Sequence, residues 1–99
     1  MKKNFSIRVD YLCRLINNQN LRSRFVSNYC ELIRDVIEMQ QIDSNFQFNV
    51  RIDAWFKVNQ YVETCLIPEI TSMESSSSNG VDLIDCYYAS KNLPVCLTI

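Results

Sequence analysis

Histidine is absent from this chain, and with it go the commonest general base and the commonest metal ligand. No triad that relies on histidine can form. Gly80 is the single glycine, so neither a phosphate-cradling P-loop nor a dinucleotide-binding turn can be assembled, and nucleotide cofactors are not expected. No window gathers eighteen apolar residues, which removes a membrane-spanning helix. The opening stretch, Met1 to Asp10, is interrupted by Arg8 and Asp10 before the apolar core of an export signal accumulates, so no export is expected. An excess of either charge sign is missing too. Ten basic against eleven acidic residues leave a net charge of -1, with no bulk pull toward nucleic acid or anionic membranes.

What the chain holds is usual for a small folded protein. Apolar residues fill 47% of the ninety-nine positions, enough for one modest core, so residues 1–99 are read as a single domain. Cys13, Cys30, Cys65, Cys86 and Cys96 are an odd number at irregular spacing. The nearest pair in the sequence, Cys86 and Cys96, lies ten apart, which argues against a paired-thiolate zinc site and for buried, reduced thiols. Neither a metal nor a cofactor is expected.

Phe5, Ile7 and Val9 alternate with Ser6 and Arg8, a strand pattern that Asp10 would end by capping a helix. Tyr11, Leu12, Leu15 and Ile16 form the stripe of that short helix, closed by the polar turn Asn17-Asn18-Gln19-Asn20. Phe25, Val26, Tyr29, Leu32, Ile33, Val36 and Ile37 keep a helical period and predict the longest helix. Phe46, Phe48, Val50 and Ile52 alternate with Gln47, Asn49, Arg51 and Asp53, the cleanest strand signal in the sequence. Ala54, Trp55, Val58, Tyr61 and Val62 suit a helix of about three turns. Cys65 to Thr71 reads as a strand that Pro68 confines to an edge or bulge. Ser75 to Gly80 reads as a loop, with Asn79-Gly80 turning a hairpin whose returning strand is Val81 to Tyr88. The expected fold class is α+β: a small antiparallel β-sheet packed with two or three helices, in the order β-α-α-β-α-β-β, plus a strand-like C-terminal tail over residues 91–99.

Candidate chemistry is sparse. Asp82 and Asp85 would point to opposite faces of a strand and read as solvated carboxylates. Arg22, Arg24 and Arg34 are interspersed with Glu31, Asp35 and Glu38, an ion-paired helix face rather than a phosphate grip. Phe46 and Phe48 lack the basic surround that base stacking on RNA requires. Trp55 and Phe56 could anchor a partner, although such a pair at a helix start is more often core. No catalytic residue emerges, and the chain reads as a non-enzyme that acts by binding other proteins. The tail is the exception to this plainness: Leu93, Val95, Leu97 and Ile99 point one way if extended. Such a strand either docks on its own sheet or adds to an edge in a neighbour, with Pro94 at the hinge, and the residues leave both open. Exchange that fails to close would propagate into a polymer.

Ile7-Arg8-Val9-Asp10, Leu32-Ile33-Arg34-Asp35-Val36, Phe46 through Asp53, Val81-Asp82-Leu83-Ile84-Asp85 and Asn92-Leu93 follow one another along most of the chain. In that order they resemble the protein family of the third open reading frame of adenoviral early region four. The resemblance implies a viral early protein: a homodimer whose C-terminal segments exchange between dimers, building a scaffold in the host nucleus, or in the cytoplasm as well. Such a scaffold sequesters host tumour-suppressor and antiviral proteins, PML-body components among them, through avidity rather than catalysis. It implies assembly through a strand at Val81, Leu83 and Asp85; the next residue, Cys86, stands where the family has leucine. The helix after Asp53 is about two turns shorter than the family's, and the tail runs on past Asn92-Leu93. Oligomerisation candidates are therefore Val81, Leu83, Asp85 and Cys86 together with Leu93, Val95, Leu97 and Ile99. A small monomeric or dimeric adaptor that binds one partner without forming a polymer is the alternative.

Overall fold

The computed structural model describes residues 3–73 and 78–99, and helix dominates it. The side chain of Asn4 accepts the N–H of Ile7 at 3.2 Å, a cap that starts α1 (Phe5–Ile16). This helix buries Phe5, Val9, Leu12 and Leu15, spaced as one helical face. The strand expected over Phe5, Ile7 and Val9 is thereby overturned. Ile7 is 61% exposed, where alternation would have buried it, and Asp10 lies within the helix instead of capping one. The two patterns coincide in so short a window because residues i and i+4 share a face in either conformation.

The polar turn is present, tightened into a 3₁₀ turn (Gln19–Leu21) in which the Asn18 side chain accepts the N–H of Asn20 at 3.1 Å. Next, α2 (Arg22–Ile42) carries the predicted stripe, with Phe25, Val26, Tyr29, Leu32, Ile33 and Val36 buried. The alternating strand is β1 (Phe48–Arg51), where Phe48 and Val50 are buried and Asn49 and Arg51 exposed.

Beyond this point the helical content exceeds the expectation. Starting directly after β1, α3 (Ile52–Tyr61) continues through a π-helical segment, Val62–Leu66, into α4 (Ile67–Met73). Pro68 accounts for the wide turn. It has no N–H to offer the Thr64 carbonyl and its ring crowds that group, so the backbone swells, and the N–H of Ile67 reaches back to the Val62 carbonyl. The expected helix of about three turns is present as α3, and its continuation replaces the edge strand expected from Cys65 to Thr71. Part of the expected Ser75 to Gly80 loop lies outside the described residues, while Asn79 and Gly80 open α5 (Ser78–Ser90), so no hairpin forms there. Val81 to Tyr88 is helix rather than strand: Leu83, Cys86, Tyr87 and Ser90 are the buried positions, three, one and three apart, one face of a helix.

The antiparallel sheet is overturned as well. After α5 a short turn delivers β2 (Val95–Thr98), which pairs with β1 in parallel, Phe48 opposite Val95 and Val50 opposite Leu97. Parallel neighbours need a long crossover, supplied here by α3, α4 and α5. The tail therefore docks on its own chain. The inner face of β1 packs on α1 and α3, and α2 packs against both α1 and α5. Among the described residues no helix is long and apolar enough to cross a membrane.

Lys3, just ahead of α1, and Arg8 within it converge on Asp35 of α2. Lys3 Nζ donates at 2.9 Å, Arg8 donates to the second carboxylate oxygen, and Arg8 also reaches Glu31 at 3.2 Å. Burial alone would raise the Asp35 carboxyl, but the hydrogen bonds from Lys3 and Arg8 outweigh it and hold the group below the usual carboxylate range.

Two predictions follow from this packing. Leu12→Ala should cost about 2–4 kcal/mol in denaturant unfolding while Ile7→Ser stays within about 0.5 kcal/mol, an ordering that a strand at 5–9 would not give. Because the folded pKa of Asp35 is depressed, its contribution is present above the unfolded carboxylate pKa and is lost as pH falls through the folded value. Asp35→Asn should therefore be less stable than the native chain by about 1–2 kcal/mol at neutral pH. The difference should shrink steadily in acid; a gap independent of pH would contradict the assignment.

Candidate protein-interaction groove

The register of the two strands sets the geometry of the surface. Paired residues of neighbouring strands project to the same side of a sheet, so Val95 and Leu97 face the way Phe48 and Val50 do. Helices cover β1, but β2 lies at the margin of that cover. Leu93 and Val95 are half-buried and Leu97 is 48% exposed. An open groove of about 410 Å³ results, with Ile52, Trp55 and Phe56 of α3 on one wall and Leu93, Val95 and Leu97 on the other. Ile52, Trp55, Phe56 and Asn59 share one side of α3 by their i, i+3, i+4, i+7 spacing. The same surface continues past Asn59 to Gln60, Glu63 and Thr64, with Lys91 opposite. Lys91 Nζ sits 4.7 Å above the Tyr87 ring and 3.8 Å from the Glu63 carboxylate, which also accepts the Tyr87 hydroxyl at 2.6 Å. The groove is thus apolar at one end and bounded by a charged network at the other.

The sheet's two edges differ. On the β1 side, Ser6 of α1 donates its hydroxyl to the Asn49 carbonyl at 2.7 Å. On the β2 side, no other strand among the described residues pairs with the outer edge. An edge of this kind presents backbone N–H and C=O groups to any extended segment that fits.

Trp55 and Phe56 take one role each. Trp55 is half-buried, edge-on to Phe48 with ring centroids 5.1 Å apart, whereas Phe56 is 65% exposed on the groove wall. The oligomerisation candidates also divide. Leu93, Val95 and Leu97 line the groove, and Ile99 is fully exposed beyond it. Leu83 and Cys86 are buried within the monomer, and Asp85 is exposed on α5. Val81 belongs to α5, with its side chain outside the described residues. The helical state of this segment removes the strand through which the resemblance has Val81, Leu83 and Asp85 assemble. Of the charged groups weighed earlier, Asp82 meets Arg34 at 3.2 Å and Arg22 pairs with Glu69. Among the described residues no three metal-capable side chains converge.

Ile52 and Lys91 are not legible in the sequence as groove residues, whereas Phe56 is legible beside Trp55 as a partner anchor. Ile52 closes an alternating strand pattern in the sequence, and only the start of α3 at that residue turns it into the first position of a helical stripe. No protein-family model, curated protein or solved structure matches the chain.

The split between the aromatic neighbours is measurable. Trp55→Ala should lower stability by about 2–4 kcal/mol, since it empties space against Phe48, while Phe56→Ser should fall within about 0.5 kcal/mol. Equal losses in urea denaturation would put both rings in the core.

Proposed function

We propose that this chain is a non-enzymatic scaffold protein that associates with itself and gathers other proteins onto the assembly. The observation that supports this reading is the outer edge of β2, paired by no other strand among the described residues and lying beside an apolar groove. An added strand would complete the edge hydrogen bonds, and the exposed Leu97 and Ile99 would supply apolar contact. Two copies meeting about a two-fold axis would bring their β2 edges together antiparallel and fuse two sheets into one. With the tail already paired to β1, this association requires no exchange of segments.

The sequence resemblance supplies the setting: a viral early protein in the host nucleus that holds tumour-suppressor and antiviral proteins. Multivalency would raise capture of such partners through effective concentration without any new contact per subunit. A second reading is favoured by the docking of the tail on its own chain. In it the protein is a monomeric adaptor, and the groove between α3 and β2 takes a segment of one partner.

Light scattering and sedimentation of the full chain separate the two. The scaffold reading expects dimers or larger species that grow with concentration, and expects Leu97→Lys to return them to monomer with an unchanged far-UV circular dichroism spectrum. A native chain that stays monomeric throughout overturns self-association and leaves the adaptor. Substitution is preferable to ending the chain at Asn92, because that truncation strips β2 from β1 and uncovers Phe48 and Val50.

A further inference from the structure

We propose that Cys30 and Cys86 form an oxidation site, a thiol pair facing across the seam between α2 and α5 that a peroxide converts into an intramolecular disulfide. Cys86 Sγ lies 3.8 Å from the carbonyl oxygen of Cys30, and both side chains are buried. One turn along the same seam, Arg34 meets Asp82 at 3.2 Å. Between these two contacts the position on α2 rises by four while that on α5 falls by four. That is the register of antiparallel helices, and it sets Cys30 opposite Cys86. Facing small residues let helices approach closely, the condition a disulfide needs between its Cβ atoms.

The surroundings favour a defined order of steps. The neighbouring Cys30 side chain, and after it the nearby Arg34 guanidinium, hold Cys86 below the ordinary thiol value against the effect of burial. The same contact, and then burial, push Cys30 up. The Cys86 thiolate attacks one oxygen of hydrogen peroxide: an S–O bond forms, the O–O bond breaks, and the departing hydroxide takes up the thiol proton as water. Cys30 then attacks the sulfenic sulfur. The S–S bond forms, the S–O bond breaks, and hydroxide leaves with the Cys30 proton as a second water. Two thiols lose two electrons and the peroxide gains them. The product ties α2 to the helix that feeds the tail. This site is separate from the groove and stands whether or not the chain self-associates.

The test uses the full chain with Cys13→Ser, Cys65→Ser and Cys96→Ser, so that only the pair remains. Brief treatment with hydrogen peroxide should remove two hydrogens from the intact mass and give a Cys30–Cys86 linked peptide in a non-reducing map. The melting temperature should rise by roughly 5 °C or more and return on reduction. Adding Cys30→Ala should abolish both the link and the rise. The proposal is overturned if the folded chain takes up oxygen on either sulfur without linking, stays unreacted, or links only in denaturant. Should the triple substitution fail to fold, the same map on the native sequence decides, according to whether the Cys30–Cys86 link predominates over links through the exposed Cys65 and Cys96.

Discussion

Phe48 is the residue on which the rest of the structure depends. Its ring meets Phe5 of α1 at 5.5 Å and Trp55 of α3 at 5.1 Å, both edge to face, and its backbone N–H donates to the Pro94 carbonyl at 2.6 Å. One position thereby joins the first helix, the internal strand, the helix after it and the C-terminal tail. Aromatic pairs in this geometry add to what burial alone contributes. The backbone bond also starts the parallel ladder that fixes where β2 lies. Without that arrangement the tail would have no register, and the groove no second wall.

The groove is a consequence of that ladder. A two-stranded parallel sheet with one strand under the helices and the other at their margin leaves the inner face of the marginal strand half-covered. Leu97 and Phe56 are exposed for this reason and not because either sits in a loop. A surface built this way can accept an extended segment along the strand edge and apolar side chains in the groove together, and the proposed association would use both. The seam between α2 and α5 lies elsewhere, packed and internal, and there the facing thiols sit beside an ion pair.

Legibility in the sequence followed the length of each pattern. The stripe from Phe25 to Val36 spans enough turns that no strand period imitates it, and α2 appears where the spacing places it. The alternation at Phe48 to Arg51 held because Asn49 and Arg51 cannot share a face with Phe48 and Val50. Shorter windows misled: Phe5, Ile7 and Val9 alternate, yet Leu12 and Leu15 extend the stripe that begins at Phe5 and Val9 and leave Ile7 outside. At Asn79-Gly80 the turn chemistry is real, but Leu83, Cys86 and Tyr87 continue into a helical face whose packing on α2 outweighs it. Pro68 signalled a break in regular hydrogen bonding, and the break took the form of a π-helical turn instead of a strand edge.

By itself the sequence determined what this protein lacks, namely imidazole chemistry and glycine-rich phosphate loops, along with its longest helix, its internal strand and the apolar alternation of its tail. These are local properties, set by residue type and by spacing within a few turns. Only the tertiary structure decided that the tail runs parallel to β1, that the segments at Phe5 and Val81 are helices, and that Ile52, Phe56 and Leu97 meet around one groove. Those outcomes rest on contacts between residues far apart in the chain, whose register no local period encodes.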